Sequence, residues 1–213
     1  MLSAPRKMFF TREICNKLKN EIMQENRELL PVGLCLVGNL ERLLINYEQN
    51  YDEFINSYLP AILIIPYGVQ VDDTGGNKTI VNQLYDFKIQ FVYSSPGVVA
   101  DYEEELLTAI NHAENLASML VGDNNLQGQE PGKETYLYLS DNTDETAPVT
   151  EAQILQTEVS QVIYNQIAST LIMDILGGKR SQKSTPTKNI IVCDMEYSVL
   201  VRTLYRKGGY RND

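Results

Sequence analysis

The chain of 213 residues is long enough for one domain with a sizeable core, and its hydrophobic share of 43% and charged share of 22% exclude a wholly disordered protein. The formal net charge of −10 disfavours tight binding to a phosphate backbone, which needs clustered lysine and arginine. Cys15, Cys35 and Cys193 are odd in number and far apart, which argues against a disulfide framework and a zinc site. We interpret them as small buried side chains in a reducing cytoplasm.

Neither a membrane span nor a secretory signal is expected. The longest uncharged apolar stretch, residues 59–71, is interrupted by two prolines and a glycine, and it is shorter than the roughly 20 residues that a spanning helix needs. Residues 1–10 carry two positive charges but no apolar run of the length found in signal peptides. We therefore expect a soluble protein with no membrane partner.

The first half of the chain predicts one helix and three strands. Apolar residues spaced four apart predict an amphipathic helix over residues 11–29. Residues 33–38, an apolar run between two glycines, predict a short strand. Residues 59–66 are apolar on both faces and bracketed by proline, which predicts a buried strand before a turn at residues 72–78. Alternation over residues 85–93 predicts a half-buried strand of an antiparallel sheet.

The second half predicts two helices and two strands. Residues 98–121 form an amphipathic pattern with acidic residues in the first turns, where the helix dipole favours negative charge. Residues 135–139 predict a short strand and residues 189–205 a final one. Between them, apolar residues three and four apart predict a long amphipathic helix over residues 155–175, ended by two glycines. A pair of strands is the alternative there, because the segment is rich in valine and isoleucine.

Together the elements predict an α+β fold, with helices packed on one face of a mostly antiparallel or mixed sheet. One domain would span residues 1–213, with insertions at about residues 39–58 and 123–150 and a flexible basic C-terminal tail. We interpret the tyrosine-rich stretch at 39–58 as a helical or partly ordered excursion.

The sequence contains no pattern typical of a catalytic, cofactor or metal site. His112, the one histidine, lies in a predicted helix away from any cysteine, and a metal site would need several converging ligands. The glycine pair at Gly75 and Gly76 lacks the spacing of a phosphate-binding loop. The acidic residues 101–105 are explained by the start of a helix rather than by metal or acid–base chemistry. We predict no catalytic residue, no metal and no cofactor.

Exposed polar segments are the candidate contact surfaces. Two basic clusters, at residues 179–188 and 202–211, make the net acidic chain dipolar, which suits head-to-tail contact between copies. A solvated loop and a loose terminus explain these clusters equally well. The candidate interface residues are Tyr47, Tyr51, Tyr58, Lys179, Arg180, Arg202, Arg206 and Arg211.

The order of the predicted elements resembles that of the tail terminator, or tail completion, proteins of long-tailed bacteriophages. The resemblance covers most of the chain as a pattern. It is carried by the strand at residues 33–38, the Leu-Pro-Ala-Ile start of the next strand at 59–62, the strand at 86–93 that leads through Ser95-Pro96 into an acidic helix, and the strand at 195–202.

The resemblance implies a structural virion subunit without an active site, which forms a homo-hexameric ring that terminates the tail tube and joins it to the head. Its partners would be copies of itself, connector or neck proteins, and the tail tube protein. It would be found in the tail or neck of the virion, and in the host cytoplasm during assembly. DNA would pass through the channel without specific binding, which an acidic subunit favours.

Other functions remain open at the level of sequence. Another head-to-tail connector or a baseplate component would share the same elements. A small enzyme or ligand-binding module could use carboxylates alone and would then respond to mutation of Glu103 to Glu105. A nucleic-acid regulator would bind duplex DNA in a salt-sensitive way.

Overall fold

The computed structural model describes residues 9–25, 30, 32–41, 43, 57–72, 80–95, 102–121, 136–139, 150–167 and 189–204. In chain order its elements are α1 (Thr11–Glu25), β1 (Leu34–Val37), β2 (Ala61–Asp72), β3 (Ile80–Ser95), α2 (Tyr102–Val121), β4 (Tyr136–Leu139), β5 (Thr150–Ile167) and β6 (Asn189–Leu204). The predicted α+β class is confirmed.

The strands form one six-stranded sheet in the order β1-β2-β3-β6-β5-β4. β1 and β2 are parallel, and every other neighbouring pair is antiparallel, so the sheet is mixed. β2 and β3 pair as a hairpin. The last strand that the structure describes, β6, lies between β3 and β5 and pairs with both over most of its length. The C-terminal strand therefore holds the centre of the sheet together.

Both helices pack on the same face of the sheet, as predicted. The alternation seen in β3 places Tyr85, Phe87, Ile89 and Phe91 on that face, where they are buried. They form one core with the inward-facing residues of β6 and with the buried stripes of α1 and α2. Burying a side chain of this size stabilises the fold by about 1.5–3 kcal/mol. We call this side of the sheet the helix-covered face.

The apolar spacing in each helix accounts for its orientation. In α1, Ile14, Leu18 and Ile22 follow one another at intervals of four and are buried. In α2, Ala109 and Ala113 are fully buried on the side that faces the sheet. Because these side chains are small, the helix can lie close to the sheet. The rest of each helix is turned toward solvent, which explains its polar residues.

A second, smaller cluster lies on the opposite face at one end of the sheet. Leu40 and Leu43 cover Leu63 and Val92 together with neighbouring apolar residues of β6. Next to it, Gly33 brings the chain close to the backbone before β2, where a Cβ atom would lie 3.1 Å from the carbonyl oxygen of Tyr58. The remainder of this face carries no described helix, and we call it the open face.

The helix predicted over residues 155–175 is wrong where the structure describes it, because residues 155–167 belong to strand β5. The strand alternative is correct for this part, and residues 168–175 lie outside the described ranges. β5 carries two irregularities of register, between Ile154 and Gln156 and between Val159 and Gln161. Each inserts one residue into the strand. At these points, successive inward-facing residues are therefore three positions apart in the sequence, whereas a regular strand has them two positions apart. Steps of three among apolar residues mimic the spacing of a helix.

Strand β2 is longer than predicted. The sequence suggested an end at Pro66, but β2 continues to Asp72 after an irregularity between Pro66 and Gly68. In the described part of the chain, β1 accompanies β2 only from Ala61 to Ile64. Pro66 lacks an N–H group, and this is tolerated at an edge where no neighbouring strand needs one.

Candidate assembly surface

The open face is the polar surface of the sheet. The cross-strand register places one residue from each of several strands in a common row. Because side chains alternate along a strand, successive rows face opposite sides of the sheet. Asp86 of β3, Ser198 of β6 and Glu158 of β5 share one such row. The adjacent open-face row contains Lys88, Glu196 and Gln161. Charged and amide side chains from three strands are thus collected on one side.

An ion pair and a hydrogen bond meet at Asp194, near the centre of this face. The Nζ atom of Lys88 lies 2.7 Å from Oδ2 of Asp194. The Nε2 amide of Gln90 donates to Oδ1 of Asp194 at 2.8 Å. Asp194 is buried, so these partners compensate for its lost hydration. Because the side chain of Lys88 is 41% exposed, solvent screens the pair and limits its contribution to stability.

Polar contacts continue on either side of Asp194. Gln70 donates to Asp86 at 3.1 Å, and the hydroxyl of Ser160 donates to Glu196 at 3.4 Å. The Nε atom of Arg202 donates to Oδ1 of Asn82 at 3.4 Å. Among strand side chains that the structure describes, this face therefore presents four carboxylates against two cations. The carboxylates are Asp86, Glu158, Asp194 and Glu196, and the cations are Lys88 and Arg202.

The structure describes two of the eight candidate interface residues. Tyr58 is half-buried and packs against the smaller apolar cluster that contains Leu40, at one end of the sheet. Arg202 lies on the open face near the other end, in the row of Asn82. The structure does not bring these two side chains together. The other six lie outside the described ranges: Tyr47, Tyr51, Lys179, Arg180, Arg206 and Arg211.

Among the residues that the structure describes, His112 and the glutamates at the start of α2 do not assemble into a cluster with metal-binding composition. The ring of His112 is half-buried and lies 6.2 Å from the ring of Phe91 and 6.3 Å from that of Tyr93. Burial, together with a hydrogen bond to Glu105, raises the pKa of Tyr93. Glu103 and Glu104 are exposed. Within the described ranges, no group of three or more His, Cys, Asp or Glu residues could hold a metal ion.

The three cysteines are free and buried, as predicted. Burial raises the pKa of Cys15, Cys35 and Cys193 to about 11 in each case. A second contribution differs between them: Glu13 and Asp194 raise the pKa of Cys15 and Cys193, whereas Lys19 lowers that of Cys35. The thiols are therefore protonated at neutral pH and packed as apolar groups.

This environment predicts slow alkylation of the native protein. Since the thiolate is the reactive form, a pKa two units above normal reduces the reactive fraction about 100-fold. We expect iodoacetamide at neutral pH to modify all three cysteines rapidly in denaturant and at least ~100-fold more slowly without it. Intact-mass spectrometry over time measures both rates. One cysteine that reacts fast in the native protein would show that its part of the core opens readily.

Sequence reasoning missed the contact between β3 and β6 that organises the open face. Alternation placed Lys88 and Gln90 on the polar side of one strand and Asp194 on the polar side of another. Nothing local shows that two strands about a hundred residues apart are neighbours. That pairing, and with it the ion pair of Lys88 with Asp194, is visible only in the folded chain.

No helix in the described ranges is long and apolar enough to cross a membrane. Neither a scan against protein-family models nor a search of curated proteins found a significant match to this chain.

Proposed function

We propose that this protein is a structural subunit of a bacteriophage virion, which forms a homo-hexameric ring that terminates the tail tube and joins it to the head connector. The proposal starts from the resemblance of the element order to tail terminator proteins. Its partners are copies of itself, the neck proteins and the tail tube protein. The ring needs no cofactor and has no active site.

The two-sided layer is the observation that supports this proposal best. One face of the sheet is covered by α1 and α2, and the other is open, polar and net acidic. In a ring of such layers, the open faces can line a channel while the helices form the outer wall. A channel lined with carboxylates repels phosphates, so DNA passes without adhering.

Solution mass tests the ring. We expect light scattering on a sizing column to give a mass close to six subunits, and negative-stain images of the same peak to show a central hole. A protein that remains monomeric at its highest soluble concentration would contradict the ring. Addition of purified tail tubes then tests the position in the virion, and the ring is expected at one end of each tube.

Charge reversal on the open face tests the role of its carboxylates. We expect the double variant Glu158→Lys, Glu196→Lys to retain duplex DNA at low salt at least ~10-fold more tightly than the unmodified protein, because two anionic positions become cationic. Both side chains are exposed, so the fold should tolerate the changes. Filter binding across a salt series measures the effect.

A matched control carries the same charge change elsewhere. Glu103→Lys, Glu104→Lys alters two exposed carboxylates at the start of α2, on the opposite side of the sheet. We expect its DNA retention to stay well below that of the open-face variant. Equal retention by the two variants would show that net charge decides DNA binding and that the open face has no special role.

A further inference from the structure

We propose that the β1 edge of one copy pairs, in antiparallel fashion, with the β5 edge of the next copy, so that the sheet continues from subunit to subunit. The inference deepens the proposed function and rests on it, since it names the contact that would close the ring. It concerns two margins of the sheet, which we call the β1 edge (Leu34–Val37) and the β5 edge (residues 161–167).

Within the described ranges, the short outer strands leave long stretches of their neighbours uncovered. β4 pairs with β5 only over Thr150 to Gln153. In the described part of the chain, the β5 edge therefore has no strand on its outer side. β1 is the outermost strand at the opposite margin, and its outer side is likewise unaccompanied there. Both margins present backbone N–H and C=O groups that a strand from another chain can bind.

Exposed apolar side chains occur at both margins. Val37 of β1 is 48% exposed, and Ile163 and Tyr164 of β5 are 37% and 42% exposed. The hydroxyl of Tyr164 donates to Glu114 of α2 at 3.0 Å, which holds the ring in place at the margin. Apolar side chains on an unpaired edge are unfavourable in water and are buried when another strand pairs there.

A further uncovered edge among the described residues, the outer side of β2, has features that oppose pairing. The outer side of β2 beyond Ile64 contains Pro66, which has no N–H, followed by the irregularity at Tyr67, which is 83% exposed. Prolines and bulges are devices by which proteins protect edges from association. The β5 edge begins after the second irregularity of β5 and contains no proline. Among the uncovered stretches of β1, β2 and β5 that the structure describes, the β1 and β5 edges are therefore the pair suited to association.

The directions and the register of the strands indicate that the occupant is a second copy. The register across the sheet places β1 at the same level as residues 162–165 of β5. β1 runs parallel to β2, and three antiparallel steps separate β2 from β5, so β1 and β5 run in opposite directions. Two copies in the same orientation, side by side, thus bring antiparallel edges together at one level. The contact is heterologous, and repetition of such a contact generates a ring when the rotation closes.

Single lysine substitutions at each margin test this contact. We expect Val37→Lys and Tyr164→Lys each to convert the assembly to monomers on a sizing column with light scattering. The contact between the β1 edge of one copy and the β5 edge of the next, which we call the seam, would require the new charge to be desolvated on pairing. Tyr67→Lys is the control, since Tyr67 is 83% exposed on β2 and belongs to neither edge. It should leave the mass unchanged. Circular dichroism and a thermal melt establish that each variant folds.

Mixing the two variants provides the sharper result. Val37→Lys keeps an intact β5 edge, and Tyr164→Lys keeps an intact β1 edge. A heterologous contact therefore predicts that an equimolar mixture forms a 1:1 dimer and no larger species, while each variant alone stays monomeric. Native mass spectrometry identifies the two different subunit masses in that dimer.

The outcomes separate the seam from the proposed function. A ring that survives both lysine substitutions overturns the seam and leaves the virion role standing. Folded monomers that form no dimer on mixing also overturn the seam. If the unmodified protein forms no ring at all, the proposed function is contradicted and the seam falls with it.

Discussion

Replacing Tyr85 with phenylalanine is expected to lower the free energy of unfolding by about 2–4 kcal/mol, because two buried polar groups lose a partner at once. The backbone N–H of Phe10 donates to the Tyr85 hydroxyl at 3.0 Å, and that hydroxyl donates to Oε1 of Gln83 at 2.7 Å. All three residues are buried. The hydroxyl thus fastens the residue that precedes α1 to strand β3. Urea unfolding followed by circular dichroism measures the loss.

Tyr67 offers a matched control for the same chemical change. It lies in the same sheet but is 83% exposed, so Tyr67→Phe should change stability by no more than about 0.5 kcal/mol. A loss in Tyr85→Phe no greater than that of the control would mean that water reaches Phe10 and Gln83. Proteolysis of the native variant should also begin near α1, since this helix loses its anchor.

Alkaline pH is expected to destabilise the protein strongly between pH 9 and 11. In the unfolded chain the three thiols ionise near their ordinary pKa of 9.0, whereas burial raises the pKa to about 11 in the folded chain. The folded state therefore binds more protons across this interval, and stability falls as the pH rises through it. Below pH 9 the contribution is fully present. The three thiols together account for several kcal/mol, a large share of the stability of a typical domain.

The triple variant Cys15→Ala, Cys35→Ala, Cys193→Ala separates the thiols from other groups. Burial also raises the pKa of Tyr197, so some dependence on pH should remain. We expect the variant to be less stable at neutral pH but to lose clearly less stability between pH 9 and 11. Chemical unfolding at several pH values in that interval gives the slope of the free energy of unfolding against pH for each protein. Parallel slopes for the two proteins would show that the thiols do not control the alkaline transition.

The sequence correctly predicted those helices and strands in which buried residues recur at a regular spacing. Strict alternation in β3 reflects one buried and one polar face, and four-residue spacing in α1 and α2 reflects one buried stripe each. The alternation in β6 likewise reflects one buried and one polar face. Because each of these signals depends only on which side of an element meets the core, the α+β class and the helix-covered face could be inferred from the sequence.

β5 shows where local patterns mislead. Its two irregularities shift the inward-facing positions, and the resulting spacing resembles that of a helix. Such irregularities are tolerated because β6 supplies a long neighbouring strand that restores the pairing on each side of them. The sequence of β5 contains no sign of that neighbour, although its valine and isoleucine content favoured strands.

The open face and the two edges could be located only from the tertiary structure. By itself, the sequence determined an acidic α+β chain with buried thiols, two amphipathic helices and polar faces on β3 and β6, because these follow from composition and short-range period. Only the tertiary structure decided that β6 lies beside β3, that Lys88 meets Asp194, and that no other described strand accompanies the β1 and β5 edges. Strand order is set by contacts between residues distant in the chain, and those contacts leave no periodic trace in the sequence.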